Sequence, residues 1–214
     1  LNINRGDKMD HLVSMSSNDF MMGAMAKELA AKDNFFNEFA NASFRGNMNT
    51  TMVKTAKGKT MMIQHDVTSP RPYSRIHVVS GIKGSASKYP APQRISFGHN
   101  WLKEEELKAM EAKYTPPIVK HVGEIAKKVG GHGGMDFIMD WRLIDCLRNG
   151  LPLDQDVYDA AAWSAVGIFS EQSVAKNSRT IDIPDYTRGN WKTNKPVNLT
   201  LDGGGNTGTR GIEK

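Results

Sequence analysis

Residues 130–164 read GGHGGMDFIMDWRLIDCLRNGLPLDQDVYDAAAWS, a glycine-bracketed histidine followed at once by two helix patterns. Gly130, Gly131, Gly133 and Gly134 around His132 permit positive φ and forbid a strand, so the backbone turns sharply here or approaches a ligand closely. From Met135 the apolar residues Met135, Ile138, Met139, Leu143, Cys146 and Leu147 recur at helical spacing, which predicts a helix ending at Asn149 and Gly150. Asp136 and Asp140 fall one turn apart on a shared face. Arg148 in the last turn and Asp136 in the first both suit the helix dipole. Asp154, after Leu-Pro-Leu, is the expected N-cap of a second helix continued by Val157, Ala160, Ala161, Ala165 and Ile168.

Upstream of this stretch the patterns change from helical to alternating. His11 to Met15 predicts a short strand, with Ser17 and Asn18 as caps for a helix over about Asp19 to Ala31. Thr50 to Thr55 and Thr60 to Val67 are rich in threonine, valine, isoleucine and methionine, and Ala-Lys-Gly-Lys between them has hairpin length and chemistry. Two prolines in Thr68 to Pro72 take the chain out of that sheet, and Arg75 to Ser80 resumes a strand that Gly81 and Gly84 terminate. Leu102 to Tyr114 and Ile118 to Val129 predict helices, and Arg179 to Ile183 alternates like a late edge strand. Strands first and helices later, without regular βαβ alternation, predict an α+β domain with a mostly antiparallel sheet covered by helices.

Composition narrows the class. A chain of 214 residues with 39% hydrophobic content can bury a sizeable core, and no apolar run reaches membrane-spanning length. The formal charge of +5 comes from lysines and arginines that read as scattered and interleaved with acids, with no basic helix, zinc-finger spacing or aromatic RNA-binding signature. Nucleic acid is therefore not an expected partner. The single cysteine, Cys146, lies on an apolar stripe and reads as a buried thiol rather than a nucleophile. The chain starts at Leu1 without methionine or targeting pattern and reads as the middle of something longer, whereas Leu201 to Lys214 reads as a glycine-rich flexible tail after a domain over 1–200.

Gly203 to Gly208, GGGNTG, matches a dinucleotide-binding string by letters alone, but only Thr209 to Lys214 follow where a helix must receive the pyrophosphate. Gly58-Lys59-Thr60 resembles the end of a phosphate loop and is better explained by the hairpin turn. Arg5-Gly6-Asp7 matches a three-residue integrin motif and carries little information. The histidines His11, His65, His77, His99, His121 and His132 show no paired zinc spacing, so no metal site is indicated. His77 reads as a sheet residue, and His65-Asp66 at a strand end reads as a structural hydrogen-bonding pair. His132 either ties down its loop and helix or contacts a ligand. Asp136 and Asp140 are better read as dipole and ion-pair partners than as a glycosidic acid and base. In Ser-Pro-Arg-Pro-Tyr-Ser-Arg the prolines present Tyr73, between Arg71 and Arg75, from a stiff support. Its phenol suits a sugar hydroxyl and its ring a pyranose face, or the ring packs over a sheet edge.

Four separated segments, LNINRGD, GKTMMIQHDVTSPRPYSR, GGHGGMDFIMDWRLIDCLRNGLPLDQDVYD and IPDYTRG, together resemble the C-terminal half of glycoside hydrolase family 109, which includes NAD-dependent α-N-acetylgalactosaminidases. The resemblance covers Leu1 to about Pro196. It implies the C-terminal α+β domain of the wider Gfo/Idh/MocA oxidoreductase group, an open, mostly antiparallel sheet with helices packed on one face, without the Rossmann domain that binds NAD. The tyrosine and histidine that act on the sugar in that family are expected upstream of Leu1, so no catalytic residue is assigned in this chain. Tyr73 of the RPYSR motif carries over as a substrate-binding residue, with His132 as a second candidate.

What the resemblance implies is a substrate-binding and oligomerisation domain that acts with an N-terminal Rossmann domain on an N-acetylgalactosaminide or related sugar. In the implied mechanism NAD takes a hydride from C3, the C2 proton is removed, the glycosidic group is eliminated, and water addition and hydride return follow. This explains the lack of an acid and base carboxylate pair. The alternatives are a domain of an NAD-dependent sugar oxidoreductase and a stand-alone, non-catalytic sugar-binding or oligomerisation module. A homo-oligomer is expected, because an open sheet leaves one face to be covered.

Overall fold

A computed structural model describes residues 1–66 and 68–197. In chain order the elements are β1 (Met9–Ser16), α1 (Met22–Ala30), β2 (Met48–Thr55), β3 (Thr60–Asp66), β4 (Val78–Ser80), β5 (Gly84–Ser87), β6 (Arg94–Phe97), β7 (Asn100–Trp101), α2 (Glu104–Tyr114), α3 (Pro117–Val129), α4 (Met135–Asn149), α5 (Val157–Ala175) and β8 (Ile181–Asp182). They make two compact units, one from Leu1–Ser69 and the chain from Leu143 onward, the other from Pro70–Arg142. Each contains a four-stranded antiparallel sheet, so the fold class is α+β.

The first sheet has the order β3-β2-β1-β8, with β8 at the edge that Arg179 to Ile183 was expected to form. Its hairpin pairs Lys54 with Thr60 around a turn in which Gly58 has φ +80°, a conformation that glycine adopts without strain. Because paired residues share a face, the register Leu12↔Val53 and Ser14↔Thr51 sends those four side chains inward and leaves Val13, Met52 and Met62 on the opposite side. Helix α5 covers the inward face, where Met9, Leu12, Val53, Ala162 and Ile183 form the buried apolar cluster. Beside it lies a hydroxyl layer: Ser173 Oγ accepts from the Ser14 N–H at 2.9 Å, and Thr51 Oγ1 meets Ser170 Oγ at 2.8 Å.

That hydroxyl layer corrects the expected α5 stripe. Its buried residues are Asp159, Ala162, Ala165, Ser170 and Ser173, while Val157 and Ile168 are exposed, because small and hydroxylated side chains let helix and sheet approach closely. The N-cap is Asp156 rather than Asp154. Its Oδ1 accepts from the Tyr158 and Asp159 N–H groups at 2.9 Å each, and Asp159 Oδ2 accepts from the Asp156 N–H, a reciprocal capping box. At α1 the expected caps Ser17 and Asn18 give way to Asp19, whose carboxylate accepts from the N–H groups of Met21, Met22 and Gly23. Ser17 Oγ instead accepts from the Met48 N–H.

In the second unit β4 to β7 form a meander in sequence order. The strand expected over Arg75 to Ser80 begins only at Val78, because Ile76 sits at φ +44°, a region that interrupts extended backbone and that a β-branched residue rarely adopts. His77 therefore precedes the sheet, its carbonyl accepting from the Lys88 N–H. Gly84 opens β5 instead of ending β4: a Cβ there would stand 2.0 Å from the Ser96 carbonyl oxygen. Helix α2 starts at a capping box in which Glu106 accepts from the Lys103 N–H, and α3 starts with Pro117 in its first turn.

Candidate functional site

Tyr73 and His132, the two candidates from the sequence, both lie in the 70–142 unit, and among the described residues no hydrogen bond, ion pair or ring contact joins them. Tyr73 stands on the irregular stretch before β4 and is 71% exposed. Its hydroxyl accepts a hydrogen bond from Arg75 Nε at 2.5 Å, and its ring meets Tyr89 edge to face with centroids 5.8 Å apart. The tyrosine hydroxyl raises the Arg75 guanidinium pKa further above its ordinary value. With one lone pair held by a cation, the phenol keeps its own proton to donate, and the donor arm strengthens the bond it can give. An exposed ring, a fixed hydroxyl and a charged anchor are what a sugar hydroxyl and pyranose face require.

His132 sits at the centre of five consecutive residues with positive φ, from Gly130 at +90° to Gly134 at +97°, His132 itself at +46°. The Gly134 position abuts α3, since a Cβ there would lie 2.8 Å from the Ala126 carbonyl oxygen. The imidazole is 71% exposed, and its Nδ1 pairs with Asp136 Oδ2 at 2.8 Å. Sequence reasoning placed Asp136 at the dipole and missed this contact, which an i, i+4 spacing across the glycine turn could have signalled. The bond ties the turn to the first turn of α4 and leaves Nε2 as the ring nitrogen available to a ligand. Asp136 is thereby a partner of His132, and Asp140 is exposed.

The segments at the two ends of the chain do something else. Arg5 grips Asp159 through Nη1 to Oδ1 at 2.7 Å and Nη2 to Oδ2 at 2.6 Å, and Asn4 donates to the Tyr158 carbonyl. Gly6 N–H donates to the Trp191 carbonyl at 2.6 Å, and Asn194 donates to the Asn4 carbonyl. Asp7 is fully buried and accepts from Lys8 N–H, Lys57 N–H and Thr55 Oγ1, with Lys59 Nζ at 3.0 Å. LNINRGD and DQDVYD thus meet in a buried polar knot that fixes the segment leading into β1 to the start of α5, with Trp191 and Asn194, just beyond IPDYTRG, holding Gly6 and Asn4 from the other side. Buried in this way, Arg5-Gly6-Asp7 presents no surface loop to a receptor.

The remaining candidates are resolved by their surroundings. Cys146 is buried in α4. Gly58-Lys59-Thr60 is the hairpin turn and the first residue of β3, and His65 is exposed near the strand end where Asp66 accepts from the Thr68 and Ser69 N–H groups. The GGGNTG string and the 201–214 tail lie outside the described residues. Among the described residues no three histidine, cysteine, aspartate or glutamate side chains gather as metal ligands, and no helix is long and apolar enough to cross a membrane.

Residues 1–193 match the family model described as glycosyl hydrolase 109, C-terminal domain. The chain is 44% identical over 204 residues to a glycosyl hydrolase family 109 protein of Shewanella pealeana, covering 93% of this chain and 44% of that protein. It is 47% identical over 194 residues to glycosyl hydrolase family 109 protein 2 of Phocaeicola vulgatus, with 90% and 46% covered. A protein of Shewanella oneidensis named alpha-N-acetylgalactosaminidase is 43% identical over 205 residues, with 93% and 44% covered. The chain spans less than half the length of each of these relatives.

Proposed function

The chain belongs to glycosyl hydrolase family 109, through that family's C-terminal domain, and from this membership we propose that it is the sugar-binding domain of an N-acetylgalactosaminidase. The observation that supports the reading is Tyr73: an exposed phenol on the RPYSR motif, held by Arg75 and braced against Tyr89, with its proton left to donate. His132, oriented by Asp136, is the second group proposed to meet the sugar, through Nε2.

NAD is the cofactor that the resemblance implies, and the described residues do not fit it. Every strand pair in both sheets is antiparallel. The glycine turn at 130–134 is fed by α3 rather than by a strand, and the Asp136 carboxylate stands at its exit, 2.9 Å from the position of a Cβ on Gly131. A pyrophosphate would meet that negative charge instead of a bare helix N-terminus. We propose that a Rossmann domain supplies the cofactor site and the hydride chemistry, while this domain binds and orients the sugar. Calorimetry on this chain with NAD should show no micromolar binding. Release of nitrophenol from a nitrophenyl N-acetylgalactosaminide by the full-length protein tests the activity. Oxidation of free sugars without such release would favour the sugar oxidoreductase alternative.

A second reading, association through the first sheet, rests on one observation. Val13, Met52 and Met62 form an uncovered apolar row across three strands, with Met15 exposed beside it. We propose that a second copy of the protein covers this face, as expected of an oligomerisation domain.

A further inference from the structure

We propose that residues 70–101 hold a subsite for an anionic glycan, in which Arg75 and Lys88 engage a carboxylate or sulfate on a sugar packed against the Tyr73 and Tyr89 rings. This rests on the proposed role of Tyr73 and extends it to the class of substrate.

Charge distribution is the first support. Between 70 and 101 the chain carries Arg71, Arg75, Lys83, Lys88 and Arg94 and no aspartate or glutamate, so this stretch holds the whole formal +5 of the protein. The interleaving of lysines with acids that describes the chain as a whole fails here. On α2 and α3, by contrast, Lys108 pairs with Glu104 and Lys127 with Glu124. Among the described residues no carboxylate pairs with Arg75, Lys88 or Arg94. A run of cations of one sign attracts ligands of the other.

Geometry is the second. Arg75 uses Nε on the Tyr73 hydroxyl and stands 5.9 Å from that ring's centroid, which leaves both terminal nitrogens as a fork for an oxyanion. Lys88 Nζ lies 5.9 Å from the Tyr89 centroid, and the two rings meet at 88°. On β6 and β7, Arg94 stands 5.7 Å from the exposed Trp101 ring and repeats the pairing of cation and aromatic. Crossed rings offer single faces to the C–H surface of saturated sugars, whereas successive nucleic-acid bases need parallel stacking platforms. The combination therefore favours an acidic glycan over a nucleic acid.

The test compares two disaccharides ending in N-acetylgalactosamine, one neutral and one carrying a sulfate on the inner sugar, titrated calorimetrically into the full-length protein. At low ionic strength the sulfated ligand should bind about tenfold more tightly, and that advantage should vanish in about 1 M salt, where the Debye length is about 3 Å. In Arg75→Gln with Lys88→Gln the ratio of the two affinities should fall close to one; taking the ratio within each variant cancels any loss shared by both ligands. Lys88→Glu, at an exposed position, carries the same test if the double variant does not fold. Equal affinities in the wild type, or a ratio unchanged by these substitutions, would overturn the subsite. So would an oligonucleotide of equal charge that binds as tightly as the sulfated sugar. If Tyr73→Phe leaves the neutral ligand untouched while the charge advantage still depends on Arg75 and Lys88, the Tyr73 role falls and the anionic subsite stands.

Discussion

Arg5 and Asp159, 154 residues apart in the chain, are joined by two parallel N–H···O bonds of 2.7 and 2.6 Å in the buried layer between β1 and the start of α5. Asp159 also closes the capping box of α5, so one carboxylate both starts the helix and docks it. Arg5→Ala should leave that carboxylate buried and unpaired, lowering unfolding free energy by about 3 to 5 kcal/mol in urea titrations. Arg5→Lys keeps the charge but not the fork, and should still cost about 1.5 to 3 kcal/mol. A lysine variant as stable as the parent would show that the two-point geometry contributes nothing.

Acid should undo the same knot. Burial pushes the Asp159 carboxyl up, but the Arg5 guanidinium and neighbouring donors outweigh it and hold the group below its ordinary range. For Asp7 burial likewise raises the pKa, and Lys59, Thr55 and two backbone N–H groups bring it below the usual value. A depressed native pKa stabilises the fold fully above the unfolded value, about 3.9, and that stabilisation is lost as pH falls through the native value. The melting temperature should hold from neutral pH to about pH 5 and drop steeply below about pH 4. Asp7→Asn should lower the plateau and flatten the acid slope. An unchanged slope would remove Asp7 from the linkage.

The sheet and helices of the first unit were legible because period and turn chemistry agree: His11 to Met15, the Ala-Lys-Gly-Lys hairpin and the Asn149-Gly150 stop all reappear within a few residues. The second sheet was not. Its strands β5 to β7 are two to four residues long and contain Gly84, Ser85, Ser87 and Ser96, too short and polar to show alternation. Cap positions slipped by one or two residues because Ser17, Asn18 and Asp19, like Asp154 and Asp156, are all competent caps by side chain, and only where the backbone turns into the helix decides among them. At the candidate site Tyr73 was visible from its proline-framed loop, whereas Tyr89 was not, since its contact depends on a hairpin return that no local pattern announces. The buried role of Arg5 was hidden for the same reason, its partner lying far along the chain.

Association should depend on the uncovered row of the first sheet. Val13, Met52 and Met62 are directly paired across β1, β2 and β3, so one charged substitution interrupts a continuous apolar patch. Met52→Lys should shift the full-length protein toward monomer in light scattering, and at concentrations where both proteins are monomeric its stability should differ by no more than about 0.5 kcal/mol, as expected at an exposed position. A parent protein that remains monomeric at high concentration would count against this use of the face.

Tyr73 offers the sharpest test of the functional reading, made in the full-length protein. Removing its hydroxyl takes away the bond proposed to a sugar hydroxyl and also the acceptor for Arg75 Nε, which is exposed and can turn to water. Tyr73→Phe should therefore lower kcat/KM on a nitrophenyl N-acetylgalactosaminide by about two-fold to tenfold, about 0.5 to 1.5 kcal/mol for a neutral partner, with the melting temperature unchanged. A ring that serves only to pack on Tyr89 predicts the opposite pattern. Its phenylalanine variant would keep full activity, and only Tyr73→Ala, which deletes the edge-to-face contact, would lower stability. His132→Ala separates the remaining possibility. If Tyr73→Phe is silent and His132→Ala reduces kcat/KM without altering the fold, the sugar contact belongs to the imidazole that Asp136 orients.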